Sequence, residues 1–223
     1  MKKPARPRTA AQRKVRVGEL LRRLRQAYPN ARCALEHRTS WELLAATILS
    51  AQCTDKRVNL VTPGLFRKYP TVQDFAAVRP VVLEADIRST GFFRNKAKAL
   101  IGSAKAILSE FGGETPRTME EMLRLPGVAR KTANVVLGTA FGLTTGVVVD
   151  THVQRIARRL DLTREQHPHK IEKDLMKVIP RQQWIAFSHQ LIHHGRQVCA
   201  ARKPACGRCA LEPLFYSKDK IRS

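Results

Sequence analysis

From Asn95 onward, Ala97, Leu100, Ile101, Ala104, Ile107, Leu108 and Phe111 recur three and four residues apart, until Gly112-Gly113 ends the run. That spacing puts them on one face of a helix, and a glycine pair is a natural helix stop. The same period returns along the chain. Arg13 to Tyr28 reads as a basic helix with Val17, Leu20, Leu21 and Leu24 on one side. Thr39-Ser-Trp-Glu42 has the capping-box pattern, and Trp41 to Ala51 is apolar nearly all round, as in a helix buried on every side. Pro80 suits the first turn of another helix, and Thr118-Met-Glu-Glu121 is a second capping box. Further helices are predicted from about Ile171 to Val178 and around Trp184 to His194. Gly142 to Gly146 breaks the pattern; the β-branched run Val147-Val-Val149 then leads to Asp150 at an N-cap position. The pattern predicts an all-α chain in two lobes, the second combining both chain ends, with an irregular Cys-bearing tail from Cys199.

The length, 223 residues, is enough for one large domain or two small lobes with a real core. Against 18 Asp and Glu stand 41 Lys and Arg, a net charge of +23, which calls for a polyanionic partner held less tightly as salt rises. Charge alone does not separate DNA from RNA or an anionic membrane. No apolar run approaches the length of a bilayer span, which disfavours a membrane role. The basic stretch Met1 to Arg16 lacks the apolar segment of a secretory signal and reads as an arm that meets phosphates. Five cysteines without secretory context favour a reducing compartment, and metal or packing roles over disulfides.

Chemistry is concentrated in Leu125-Pro-Gly-Val-Ala-Arg-Lys-Thr-Ala-Asn134. It reads as a helix, a Gly-centred hairpin turn and a second helix with a lysine in its first turn. A glycine turn opening onto a helix N-terminus offers N–H groups to a phosphate. Lys131 is then either a phosphate contact or an amine nucleophile; a helix N-terminus disfavours extra positive charge and so favours the neutral, reactive amine. Asp150, nineteen residues on, is either a helix cap or a carboxylate that stabilises a developing cation, and the two roles are compatible. Cys199-x6-Cys206-x2-Cys209 has metal-ligand spacing and suits an iron–sulfur cluster or zinc. A full site needs four ligands, and position 215, where a fourth would complete the set, is Phe215. Zinc completed by His193 or His194, or no metal, remains open. Arg202 and Lys203 lie in the loop between the first two cysteines, where a metal would pin them as a phosphate-binding surface.

Together these residues resemble the endonuclease III family of helix-hairpin-helix base-excision glycosylases, from about Arg16 to Cys209. The most specific pieces are Leu49-Ser-Ala-Gln-Cys-Thr-Asp55, Gly91-Phe-Phe-Arg-Asn-Lys96, the hairpin segment, Val149-Asp-Thr-His152 and the cysteine spacing. The resemblance implies a two-lobed fold: a six-helix barrel-like lobe at 34–147, with the hairpin motif at 118–138, and a second helical lobe from 16–33 plus 148–215. A basic arm at 1–15 and a tail at 216–223 would flank them. It implies a bacterial-type, cytoplasmic, nucleoid-associated monomer acting on double-stranded DNA with damaged pyrimidines or abasic sites. By analogy the enzyme is a bifunctional glycosylase and AP lyase for oxidised pyrimidines, which flips the damaged base into a cleft between the lobes. Lys131 would attack C1′ and form a Schiff base, and Asp150 would assist base departure. Gly127, Ala129 and Arg130 would hold the backbone. Gln52 would fill the hole left by the flipped base, with Phe92 as the wedge on the opposite strand. Asp55 and His152 would line the pocket, and Cys199, Cys206 and Cys209 would hold a [4Fe–4S] cluster. Ile48 stands where the adenine-mismatch branch carries a catalytic glutamate; that branch and the alkyl-base branch both lack the hairpin lysine.

The chain departs from the family pattern in three places. Phe215 replaces the fourth cysteine and Phe92 a leucine. Ala129 replaces the second hairpin glycine, at a cost of about 1 kcal/mol if that position needs a positive φ. The rival from another class is a catalytically weak or non-enzymatic helix-hairpin-helix DNA-binding protein.

Overall fold

The computed structural model describes residues 6–216; the ends of the expected arm (1–5) and tail (217–223) lie outside the described residues. Those residues contain eleven α-helices and no strand. They divide into two compact units, one running Cys33–Thr145, the other built from the chain up to Arg32 and from Gly146 onward.

The first helix, α1 (Ala10–Ala27), buries Val17, Leu20, Leu21 and Leu24, the four residues its spacing indicates. It starts earlier than Arg13 because Thr9 caps it: the Thr9 hydroxyl accepts from Gln12 N–H, and the Gln12 side chain returns the bond. Residues 10–15 are therefore helix rather than arm.

The Cys33–Thr145 unit has seven α-helical segments: α2 (Ser40–Leu49), α3 (Asp55–Lys68), α4 (Val72–Ala77), α5 (Pro80–Asp86), α6 (Phe93–Glu110), α7 (Met119–Arg124) and α8 (Arg130–Phe141). Eight of the ten residues of α2 are buried, in keeping with its all-round apolar sequence. Thr39, Thr54, Thr71 and Thr118 each cap the helix that follows. Short α4 and α5 are separate because Val78 and Arg79 are extended, and at Arg79 that is the conformation the following proline favours. The core centres on Phe75, against which Trp41 packs edge-on at 5.2 Å.

The turn between α7 and α8 rests on α6. Ser103 Oγ donates to Pro126 O at 2.8 Å. Gly127 has φ 77°, and a Cβ on it would stand 2.6 Å from Ala99 Cβ. Ala129, by contrast, has φ −95° and ψ 168°. It is extended backbone open to any residue, so replacing the second hairpin glycine carries no strain in this chain.

The other unit adds α9 (Thr151–Arg159), α10 (Pro168–Val178) and α11 (Trp184–Gln197) to α1. Val147, Val149, Val153, Ile156, Leu191 and Phe187 share its core with the buried face of α1. Arg16 of α1 donates to Leu160 O, at the end of α9, and to Leu214 O, which ties the chain's two ends together.

Gly127→Ala is expected to cost about 2 kcal/mol, from a left-handed alanine and methyl overlap together, and to lower Tm by roughly 4–8 °C. Ala129→Gly is expected to move Tm by less than about 2 °C. Equal shifts in a thermal melt would contradict the assignment of the positive φ to Gly127 alone.

Candidate active site

In the Cys33–Thr145 unit the hairpin delivers Lys131 to an open position. Leu125 and Val128 are buried on either side of the turn, which is closed by Val128 N–H donating to Leu125 O at 3.1 Å. Ala129 is the N-cap of α8 and supplies no side-chain cap, so α8 begins without the capping bond that the threonines give other helices of this unit. Arg130 and Lys131 are the first two helical residues, and Lys131 is exposed. The arrangement presents backbone donors, a helix N-terminus and an amine together, which is the equipment for gripping a phosphate beside a nucleophile.

Two further expected contacts in this unit are held in the left-handed region. Gln52, in the turn after α2, has φ 53°, and Phe92, the N-cap of α6, has φ 48°. Both are exposed, Phe92 to 60%. A non-glycine residue with positive φ costs free energy, and such positions cluster at functional sites. Asp55 is half-buried as the first residue of α3. Lys96, quoted above only as part of a motif, is buried: its ammonium donates to Leu49 O at 2.8 Å and Thr90 O at 2.7 Å. Burial lowers its pKa.

In the other unit, Val147 to Val149 lie outside any helix and are buried, and the Val148 N–H finds its acceptor in Ser188 Oγ at 3.0 Å. The segment ends at Asp150, whose Oδ1 accepts from Val153 N–H at 2.8 Å and caps α9. The second carboxylate oxygen makes no hydrogen bond among the described residues. His152 packs on Gly195, where a Cβ would come within 2.7 Å of His152 Cβ. Arg155 Nη2 donates to His152 Nδ1 at 3.1 Å, so that nitrogen carries a lone pair. Burial lowers the His152 pKa, with Asp150 opposing.

Cys199, Cys206 and Cys209 line one cavity with Val198, Ala205 and Phe215. Its volume is about 20 Å³, room for a water molecule. Phe215 is buried in the core of this unit. Cys199 Sγ accepts from Arg159 Nη1 at 3.2 Å, and Cys209 Sγ lies 3.4 Å from His194 Nε2. His194 is buried against Tyr28 Oη (2.9 Å), and burial pushes its pKa down to about 4. His193 turns to Arg32 O at 3.2 Å. Among the described residues no three His, Cys, Asp or Glu side chains group closely enough to hold a metal ion. As arranged, these residues fit neither an eight-atom iron–sulfur cube nor a zinc completed by either histidine. The loop is held instead by arginines: Arg155 donates to Cys199 O, and Arg159 to Ala200 O and Ala201 O. Arg202 and Lys203 project from it, exposed, with Lys203 at φ 49°.

The family model described as "HhH-GPD superfamily base excision DNA repair protein" matches residues 45–181. The endonuclease III of Synechocystis sp. is 56% identical over 94% of this chain and 96% of the relative. That of Bacillus subtilis is 44% identical over 86% and 88%. A solved structure of a trapped endonuclease III–DNA covalent intermediate is 44% identical, with TM-score 0.87 over 91% of this chain and 95% of that one. Matches of this extent, on a chain with this hairpin, place it in the HhH-GPD superfamily of base excision DNA repair proteins and, within that superfamily, in the endonuclease III family of DNA-repair enzymes.

Proposed function

We propose that the protein removes oxidised pyrimidines from double-stranded DNA and cuts the strand at the abasic site, using Lys131 as nucleophile and Asp150 as its electrostatic partner. The observation that carries this reading is the exposed Lys131 amine in the uncapped first turn of α8, beside the Gly127 turn. Phosphate gripping does not need Lys131 and Asp150 as a pair, and their presence together favours an enzyme over an architectural DNA binder. The net charge of +23 supports a DNA substrate, with the Arg202–Lys203 loop as a further backbone contact.

In this reading the neutral Lys131 Nζ attacks C1′ of the extruded nucleotide. The bond between C1′ and the base nitrogen breaks, and its electron pair leaves with the base, which takes up a proton. Nζ loses a proton, the C1′–O4′ bond breaks with its electron pair and a proton going to O4′, and the opened sugar is left as a protonated Schiff base on Nζ. Loss of a C2′ proton then expels the 3′ phosphate by β-elimination, and water releases the lysine. Asp150 stabilises the positive charge that grows on the sugar with the carboxylate oxygen not used in capping. Gln52 occupies the space vacated in the stack, Phe92 wedges the opposite strand, and Asp55 and His152 line the pocket. No step runs through a metal.

Borohydride reduction in the presence of abasic-site DNA is expected to give a covalent adduct with the unsubstituted protein and none with Lys131→Ala. No adduct, and no release of oxidised pyrimidine across a panel of damaged bases, would refute the reading. Asp150→Asn keeps a side-chain oxygen for the cap, so it is expected to bind DNA and melt normally while base release falls by about 100-fold or more; unchanged turnover would reduce Asp150 to a cap. Phe215→Cys is expected to bind more iron than the unsubstituted chain in an iron and sulfide assay. Equal iron would show that Phe215 is not what blocks the fourth position.

A further inference from the structure

Among the described residues Lys96 has no acidic partner, yet the residue is only 4% exposed. Its two acceptors are both main-chain oxygens. Leu49 O ends α2, three residues before Gln52. Thr90 O ends the 3₁₀ turn Arg88–Thr90, two residues before Phe92. Thr90 is itself buried, with its hydroxyl donating to Ile87 O at 2.8 Å. Two carbonyls at the ends of helical turns carry partial negative charge and lie away from water, so each needs a donor. An ammonium donates to both at once and, unlike an amide, brings no acceptor that must itself be satisfied.

We propose that Lys96 is a positioning residue for base extrusion: its buried ammonium ties the turn carrying Gln52 to the turn carrying Phe92, so that plug and wedge enter the duplex as one unit with a set spacing. The inference rests on the reading of Gln52 and Phe92 as DNA-inserting side chains. Both are exposed and both are left-handed. Each is a strained conformation that relaxes unless its surroundings hold it, and Lys96 is bonded to both turns. Its backbone contributes as well, since Lys96 N–H donates to Phe92 O at 3.1 Å.

The test compares two substrates with Lys96→Met, which keeps the length and loses the donors. On duplex DNA with 2-aminopurine beside an abasic site, the fluorescence change that reports extrusion is expected to slow at least about tenfold. On single-stranded abasic DNA, which needs no plug or wedge, borohydride trapping is expected to proceed at the unsubstituted rate. Extrusion at the unsubstituted rate would overturn the proposal, and so would an equal loss on both substrates, which marks a merely structural lysine. Failure of the unsubstituted protein to trap single-stranded abasic DNA would count against the Lys131 chemistry instead. If Lys96→Met does not fold, Lys96→Gln, which retains N–H donors, is expected to show a smaller loss confined to duplex DNA; a loss on both substrates again overturns the proposal.

Discussion

Gly127 lies so close to α6 that a single added methyl would overlap Ala99. Much of the Cys33–Thr145 unit follows from that approach. Gly102 and Ser103 continue the small surface on which the turn rests: a Cβ at Gly102 would meet the Pro126 ring at 3.1 Å, and Ser103 bonds the Pro126 carbonyl. Seated there, the turn sets where α8 begins, and the start of α8 sets where the Lys131 amine emerges. One turn nearer the start of α6, Lys96 reaches the turns that carry Gln52 and Phe92. A single helix thus organises the hairpin and the turns that carry Gln52 and Phe92, through packing at one point and a buried charge at another.

The second unit solves a different problem, that of holding a carboxylate still. The run Val147 to Val149 is buried, its Val148 N–H is satisfied by Ser188, and it ends where α9 needs a cap. Asp150 meets that need with one oxygen and keeps the other. The cap and the proposed electrostatic role are therefore complementary, since capping fixes the orientation from which the free oxygen acts. Arginines from α9 hold the adjoining cysteine loop by its carbonyls, the task that the thiol spacing suggests for a metal.

Features that depend on residues three or four apart were legible in the amino-acid sequence. The buried faces of α1 and α6, the all-round burial of α2, the hairpin and the Asp150 cap all arise from local spacing. What spacing could not reveal depends on contacts distant along the chain. The harmless extended conformation of Ala129, the two-carbonyl bond of Lys96 and the packing of Phe215 where a fourth thiol is expected are all of this kind. The start of α1 was legible in Thr9 and Gln12, a capping box in which glutamine stands for the more familiar acid. The break between α4 and α5 was equally legible in the proline that follows it.

Proteolytic mapping of the borohydride-reduced adduct tests the central claim most directly. The account predicts that the reduced sugar remnant appears, by mass, on the side-chain nitrogen of Lys131 and nowhere else. A remnant on the α-amino group of Met1, on Lys96 or on any other lysine would contradict it.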